Sequence, residues 1–140
     1  MKKVLIGFIV AVGIFIMWKM IVEYQPERQD IKEVNIKSVE ILNSIPTAEG
    51  LKLTSEYVGT VGYTPRVNFK YEGTHNYLYY ENYYAKQLEI RNWKIHKSYT
   101  IESSAYSYKE FIKEDFRFRI ECQTKDGIVN VSLVIMGKPM

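Results

Sequence analysis

The residues that could bind a metal ion are few and lie apart in the predicted structure. The chain has two histidines, His75 and His96, and one cysteine, Cys122. The sequence pattern predicts His75 in a turn before a helix, His96 on the outer side of a strand and Cys122 on the inner side of another strand. A zinc site needs such side chains to converge on one ion. We therefore expect neither a metal site nor a cofactor.

Catalysis by a nucleophile or by paired carboxylates also lacks a convincing set of residues. Ser103 and Ser104 fall at a predicted turn, and no serine has the glycine pattern of a nucleophile elbow. Glu114 and Asp115 are adjacent, and we expect them to form a turn, because neighbours in a strand would point to opposite faces. The scattered glycines form no phosphate-binding loop. The sequence favours a non-catalytic protein, and an enzyme acting at the membrane surface is the alternative.

Tyrosine is the residue type that stands out, and its spacing suggests binding. A helix is predicted over 77–91, and at 100° per residue it carries two neighbouring stripes. The first stripe consists of Tyr77, Tyr80, Tyr84 and Leu88, and the second of Tyr79, Tyr83 and Ile90. The opposite side is predicted to face solvent and contains Glu81, Asn82, Ala85, Lys86 and Glu89.

One apolar stripe is enough to pack a helix on a sheet. The second stripe is therefore either also buried or partly exposed as an interaction surface. Tyrosine suits an interface because it combines a large contact area with a polar hydroxyl. Tyr79, Tyr83 and Ile90 are the candidate interaction surface.

The chain begins with a long apolar run, residues 4–22, which Lys19 alone interrupts. As a helix, this run reaches about 28 Å, close to the hydrocarbon thickness of a bilayer. A cleaved signal peptide would end in small residues, whereas residues 18–24 are bulky or charged. We expect residues 1–22 to be a transmembrane signal anchor of a single-pass protein of the cell membrane. Secretion after signal cleavage is the alternative.

Charge indicates the orientation of this anchor and the class of partner. The chain carries 19 basic and 16 acidic residues. Three of the basic residues and none of the acidic ones lie in 1–22, so the remainder is formally neutral. Lys2 and Lys3 precede the run, which favours a cytoplasmic N-terminus and a domain outside. Without clustered basic charge we expect no nucleic acid. The expected partners are the membrane and another envelope protein or a cell-wall polymer.

The remaining residues predict a short polar connector, 23–30, and one extracytoplasmic α+β domain, 31–140. Hydrophobic periodicity predicts a first helix at 31–43 and the tyrosine-rich helix at 77–91. Alternation and turn residues predict strands near 51–60, 67–72, 93–101, 106–112, 116–123 and 129–135. Alternation also predicts one covered and one wet face, which fits an antiparallel sheet with two helices packed on one face. Trp93 and Cys122 are expected in the core.

Several segments of this domain resemble small N-terminally anchored or secreted bacterial α+β domains of unknown function. These segments are SIPTAEGLK (44–52), YYAKQLEIRNW (83–93), and FRFRIECQ with IVNVSLVI. The shared feature is a Tyr-Tyr, Leu, Trp passage from a helix into a strand. The resemblance covers most of residues 31–136 and implies an α+β fold outside the membrane. It supplies no functional residues.

Overall fold

The computed structural model describes Ile14, Met17 and residues 30–138. The predicted anchor, 1–22, and the connector, 23–30, lie outside the described residues except at Ile14, Met17 and Asp30. No helix in the described part of the chain is long and apolar enough to span a bilayer. The chain divides into two compact units, Met1–Glu33 and Val34–Met140, and the second contains the whole sheet.

The domain has an α+β fold with the element order that the sequence predicts. Helix α1 covers residues 30–43 and α2 covers Tyr77–Ile90. The strands are β1 Leu51–Val61, β2 Thr64–Gly73, β3 Lys94–Ile101, β4 Tyr106–Lys113, β5 Phe116–Lys125 and β6 Ile128–Met136. They form one antiparallel sheet in the order β1-β2-β6-β5-β4-β3. The prediction of a small antiparallel α+β domain with two helices is confirmed.

Turn and cap residues set the ends of these elements. The Asn76 side chain accepts a hydrogen bond from the Leu78 N–H at 2.8 Å, which caps the start of α2. Asn92 follows the end of the helix, and its φ of 63° lies in the left-handed region that asparagine tolerates. Asp126 and Gly127 both have positive φ and close the tight β5–β6 hairpin.

The core contains residues from both helices and from alternating positions of the strands. Strand β5 contributes Phe116, Phe118, Ile120 and Cys122, and the helices add Leu42, Tyr80, Tyr84 and Leu88. Ile45, just after α1, also belongs to the core. The Trp93 ring meets Phe118 edge to face, with centroids 5.7 Å apart. The predicted burial of Trp93 and Cys122 is confirmed. Burial, with a smaller contribution from Glu81, raises the pKa of the Cys122 thiol to about 12, so this cysteine is a neutral core residue.

The solvent-facing side predicted for α2 is wrong at two residues, Glu81 and Ala85. Glu81 is 3% exposed, and Ala85 is also buried. The physical reason is that α2 contacts three strands, β4, β5 and β6, so it buries a wider face than one stripe. The Glu81 Oε1 atom lies 3.0 Å from the Lys109 Nζ atom on β4. This ion pair allows the carboxylate to be buried under the helix.

Candidate functional site

The sheet has a polar and aromatic cluster on the face opposite the core, which we call the outer face. The cluster consists of His96, Tyr108, Glu110, Arg119 and Glu121, and we name it the outer-face cluster. Strand register brings its members together, because Glu110 pairs with Arg119 and Tyr108 with Glu121 across β4 and β5. The residues that alternate with them in β4 and β5, such as Phe111 and Phe118, point to the other face, into the core.

Glu110 is the centre of this cluster and is only 2% exposed. Its Oε2 atom accepts hydrogen bonds from the Tyr108 hydroxyl at 2.9 Å and from Arg119 Nη2 at 3.3 Å. Burial alone would raise the pKa of Glu110. The two hydrogen bonds and the charges of Arg119 and Arg117 outweigh burial and lower that pKa below its usual value. Glu110 is therefore an ionised, buried carboxylate at neutral pH.

Two buried polar atoms of the cluster make no hydrogen bond to any described residue: Glu110 Oε1 and Arg119 Nε. The His96 Nε2 atom lies 4.0 Å from Glu110 Oε1, which is beyond hydrogen-bond range. An unpaired buried polar atom costs about 1–3 kcal/mol. The cluster thus keeps one acceptor and one donor without a partner among the described residues, and both atoms are closed off from solvent in this structure.

An aromatic surface lies beside these charges. The Tyr99 ring stacks on Tyr108 with centroids 4.7 Å apart, and Tyr106 lies 5.9 Å from Tyr99. The guanidinium of Arg119 lies 5.1 Å from the centre of the Tyr108 ring. Tyr99 remains 49% exposed, so part of its ring is open to a partner. Burial is the main factor that raises the pKa of Tyr108, and this hydroxyl stays protonated as a donor to Glu110.

The helix residues that the sequence suggested as an interaction surface lie in three different environments. Tyr79 is 40% exposed, and its ring contacts the His75 ring at 4.6 Å. Tyr83 is half-buried against the core, and its hydroxyl donates to the Pro46 carbonyl at 3.2 Å. Ile90 is 64% exposed, almost two turns beyond Tyr83. Whether this flank of α2 binds a partner stays a prediction.

The sequence reasoning placed His96 on the outer side of its strand but did not identify Tyr108 or Glu110. Their outward alternation in β4 was visible, yet only strand register places them beside Arg119. Within residues 30–138, together with Ile14 and Met17, no group of three or more His, Cys, Asp or Glu side chains is arranged to hold a metal ion.

Comparisons with known proteins define no family for this chain. No protein-family model matches it, and no curated protein matches it. Among solved structures, it is similar to a protein of unknown function from Pseudomonas aeruginosa. That likeness has a TM-score of 0.38 and 13% sequence identity, and it covers 67% of this chain and 72% of the other. A likeness at this level carries no argument about function.

Proposed function

We propose that this chain is a single-pass membrane protein whose extracytoplasmic domain, residues 31–140, binds a cell-wall polymer without catalysing a reaction. One observation carries the proposal. Glu110 is 2% exposed and ionised, yet its Oε1 atom has no hydrogen-bond partner among the described residues, and Tyr108, which donates to its Oε2 atom, stacks on the part-exposed ring of Tyr99. Such a pairing of buried charge and open aromatic surface is typical of ligand sites.

The chemistry of the outer face suits a hydroxyl-rich polymer with ring-shaped units. A sugar hydroxyl can donate to the Glu121 carboxylate, whose side chain is 31% exposed, and another can accept from the Arg119 guanidinium, whose side chain is 26% exposed. Hydrogen bonds with charged groups are the stronger kind. The apolar face of a sugar ring can pack on Tyr99. A polymer repeats these groups, so it can engage an open sheet face at several points.

The proposed location follows from the sequence. Residues 4–22 are apolar enough to cross a bilayer, and Lys2 and Lys3 precede them. The connector, 23–30, is short, so the domain would stay close to the membrane and within reach of the cell wall. If both helices pack on the core face, as the alternation predicts, the outer face is left for the partner.

The test is sedimentation of the full-length protein, in neutral detergent, with purified cell-wall sacculi. We expect wild type to pellet with the sacculi and Tyr99→Ala to bind about tenfold more weakly, the size of effect typical of an interface anchor. The matched control is Tyr63→Ala, which removes a tyrosine that is 78% exposed at the β1–β2 turn. This control should bind like wild type.

Glu110→Gln provides the second variant, because it keeps the shape of the side chain and removes its charge. We expect it to weaken sedimentation as well, and a thermal melt checks that the domain remains folded. Equal pelleting of wild type, Tyr99→Ala and Glu110→Gln would refute a binding role for the outer face. If the protein does not sediment with sacculi but crosslinks to an envelope protein, and Tyr99→Ala abolishes that crosslink, the partner is a protein and the polymer proposal is wrong.

A further inference from the structure

A second candidate binding site lies away from the outer face, in a cavity between the end of α1, the end of α2 and the β4–β5 turn. Its volume is about 420 Å³, within the range of small-molecule sites. One wall is apolar and consists of Ile41, Trp93 and Phe116. The polar lining consists of Lys37, Ser44, Arg91, Lys113 and Glu114. We name this space the basic cavity, because three of its charged residues are cations and one is an anion.

Arg91 and Lys113 are half-buried in this lining and have only neutral partners. Arg91 donates to the Gln87 carbonyl and side-chain oxygens, both at 2.8 Å, and to the Ser44 carbonyl at 3.1 Å. Lys113 Nζ donates to the Arg91 carbonyl at 2.8 Å. In the part of the chain that the structure describes, neither cation forms an ion pair. Neither charge is thus neutralised by a carboxylate at ion-pair distance among the described residues.

These contacts give the cations structural roles, but they do not use all of their donors. The Arg91 carbonyl lies at the end of α2, so Lys113 satisfies a carbonyl that the helix leaves open. An arginine has five N–H donors and a lysine three. Arg91 therefore has donors left, and Lys113 has two. A structural role alone would not require Arg91 and Lys113 to line a cavity.

Lys37 and Glu114 lie at the rim of the basic cavity. Lys37 Nζ is 4.0 Å from Glu114 Oε2, and the two side chains are 59% and 68% exposed. An exposed pair at this distance stabilises little. Lys37 Nζ also lies 5.3 Å from the centre of the Phe116 ring, so it is close to the apolar wall. An incoming anion can compete with Glu114 for Lys37 at low cost.

We propose that the basic cavity binds an organic anion, a carboxylate or phosphate monoester that carries an apolar group. The anionic end would lie between Lys37, Arg91 and Lys113, where charge-assisted hydrogen bonds are available. The apolar group would pack against Trp93 and Phe116. This inference is independent of the outer face and of the proposed polymer binding.

The test uses phenyl phosphate as the probe and the full-length protein in neutral detergent. Trp18→Phe leaves Trp93 as the only tryptophan, since the chain has two. We expect phenyl phosphate to change the Trp93 fluorescence in a saturable way and inorganic phosphate to bind more weakly, because it lacks the apolar group. Added sodium chloride should weaken binding.

Three substitutions on the Trp18→Phe background distinguish a site from a structural cluster. Lys37→Gln should weaken binding of phenyl phosphate about tenfold. Glu114→Gln should strengthen it, because the competing carboxylate is removed. Lys125→Gln, at the opposite end of β5, is the matched loss of one charge and should have no effect. Lys37 and Glu114 are exposed, so these variants should remain folded.

The outcomes separate the possible sources of the anion. Binding of phenyl phosphate in solution supports a free small molecule. A Trp93 response confined to bicelles with phosphatidylglycerol, and sensitive to Lys37→Gln, supports a lipid headgroup with the same chemistry. Binding that is equal in Lys37→Gln, Glu114→Gln and Lys125→Gln would overturn the proposal. A Trp93 signal that responds to neither probe would do the same.

Discussion

At the scale of single residues, Glu110 shows how a buried carboxylate remains charged. The Tyr108 hydroxyl and the Arg119 guanidinium both donate to one of its oxygens, and they counteract the cost of burial. The other oxygen makes no hydrogen bond to a described residue. The buried Glu81 is in the same state, since its Oε2 atom also makes no hydrogen bond to a described residue. Glu110 differs in its place on the outer face, where it accepts from Tyr108, on which the part-exposed Tyr99 ring stacks.

The lowered pKa of Glu110 predicts how its contribution to stability depends on pH. A group whose pKa is lower in the folded state stabilises the fold above its unfolded pKa, near 4.3 for glutamate, and this stabilisation is lost as the pH falls through the folded pKa. We expect Glu110→Gln to be less stable than wild type by about 1–3 kcal/mol at pH 7. Thermal melts should show this difference shrinking below about pH 4.

The control for this experiment is Glu102→Gln, which changes an exposed glutamate in the short 3-10 turn Glu102–Ser104. It should match wild type at every pH. A difference between wild type and Glu110→Gln that stays constant from pH 7 to pH 3 would contradict the ionised carboxylate. It would indicate that the side chain acts only through its shape.

At the scale of elements, α2 divides the suggested tyrosine surface into an exposed and a packed residue. Tyr79 is 40% exposed, whereas Tyr83 contacts the core and donates to the Pro46 carbonyl. We expect Tyr79→Ala to lower the free energy of unfolding by less than about 1 kcal/mol, because 40% of the residue is exposed and it is not part of the buried core. Tyr83→Ala should cost about 2–3 kcal/mol, from lost packing and one lost hydrogen bond. Urea denaturation measures both.

This asymmetry decides how an interface on α2 should be tested. Tyr79→Ala alone should change binding without unfolding the domain. In the double variant with Tyr83→Ala, a loss of binding could equally come from a loss of stability. Tyr83→Phe serves as the control that removes only the hydroxyl. If Tyr79→Ala proved as destabilising as Tyr83→Ala, Tyr79 would belong to the core and the interface hypothesis for this helix would be wrong.

Strand β3 shows why the fold was more predictable than the site. Alternation is a local property, so it gave the order of the helices and strands correctly. By alternation alone, Tyr99 and His96, which are three residues apart, would lie on opposite faces of β3. The strand has an irregularity between Ile95 and Lys97, and beyond it Tyr99 pairs with Tyr108 on the outer face. A bulge reverses which face the later residues occupy, and no local sequence signal marked this one.

The side-chain contacts within the outer-face cluster could not be predicted from the sequence, for a related reason. Glu110 and Arg119 are nine residues apart in sequence and meet through the β4–β5 register. Glu81 and Lys109 meet only because α2 lies over β4. Residue types and faces can be read from a sequence, but cross-strand and helix-to-sheet neighbours depend on tertiary packing.

At the scale of the whole molecule, the proposed anchor has a direct test in cells. The double substitution Val12→Asp with Ile16→Asp should make membrane insertion less favourable by about 5–7 kcal/mol, because both positions lie near the expected bilayer centre. We expect this double variant to be released from membranes by a carbonate wash. Wild type and the matched variant with leucine at both positions should remain in the membrane fraction after the wash. Mass spectrometry of the membrane-extracted protein should find residues 1–22 still attached.

Orientation follows from the same proposal and requires a separate measurement. With Lys2 and Lys3 in the cytoplasm, the domain faces outward, and a protease added to intact spheroplasts should digest it. A cytoplasmic marker protein that survives the same treatment shows that the membrane stayed closed. Protection of the domain until lysis would reverse the topology and remove the cell wall as a partner. A mature N-terminus near residues 20–25 would instead indicate a cleaved signal and a secreted domain, which can still bind the wall through the outer-face cluster.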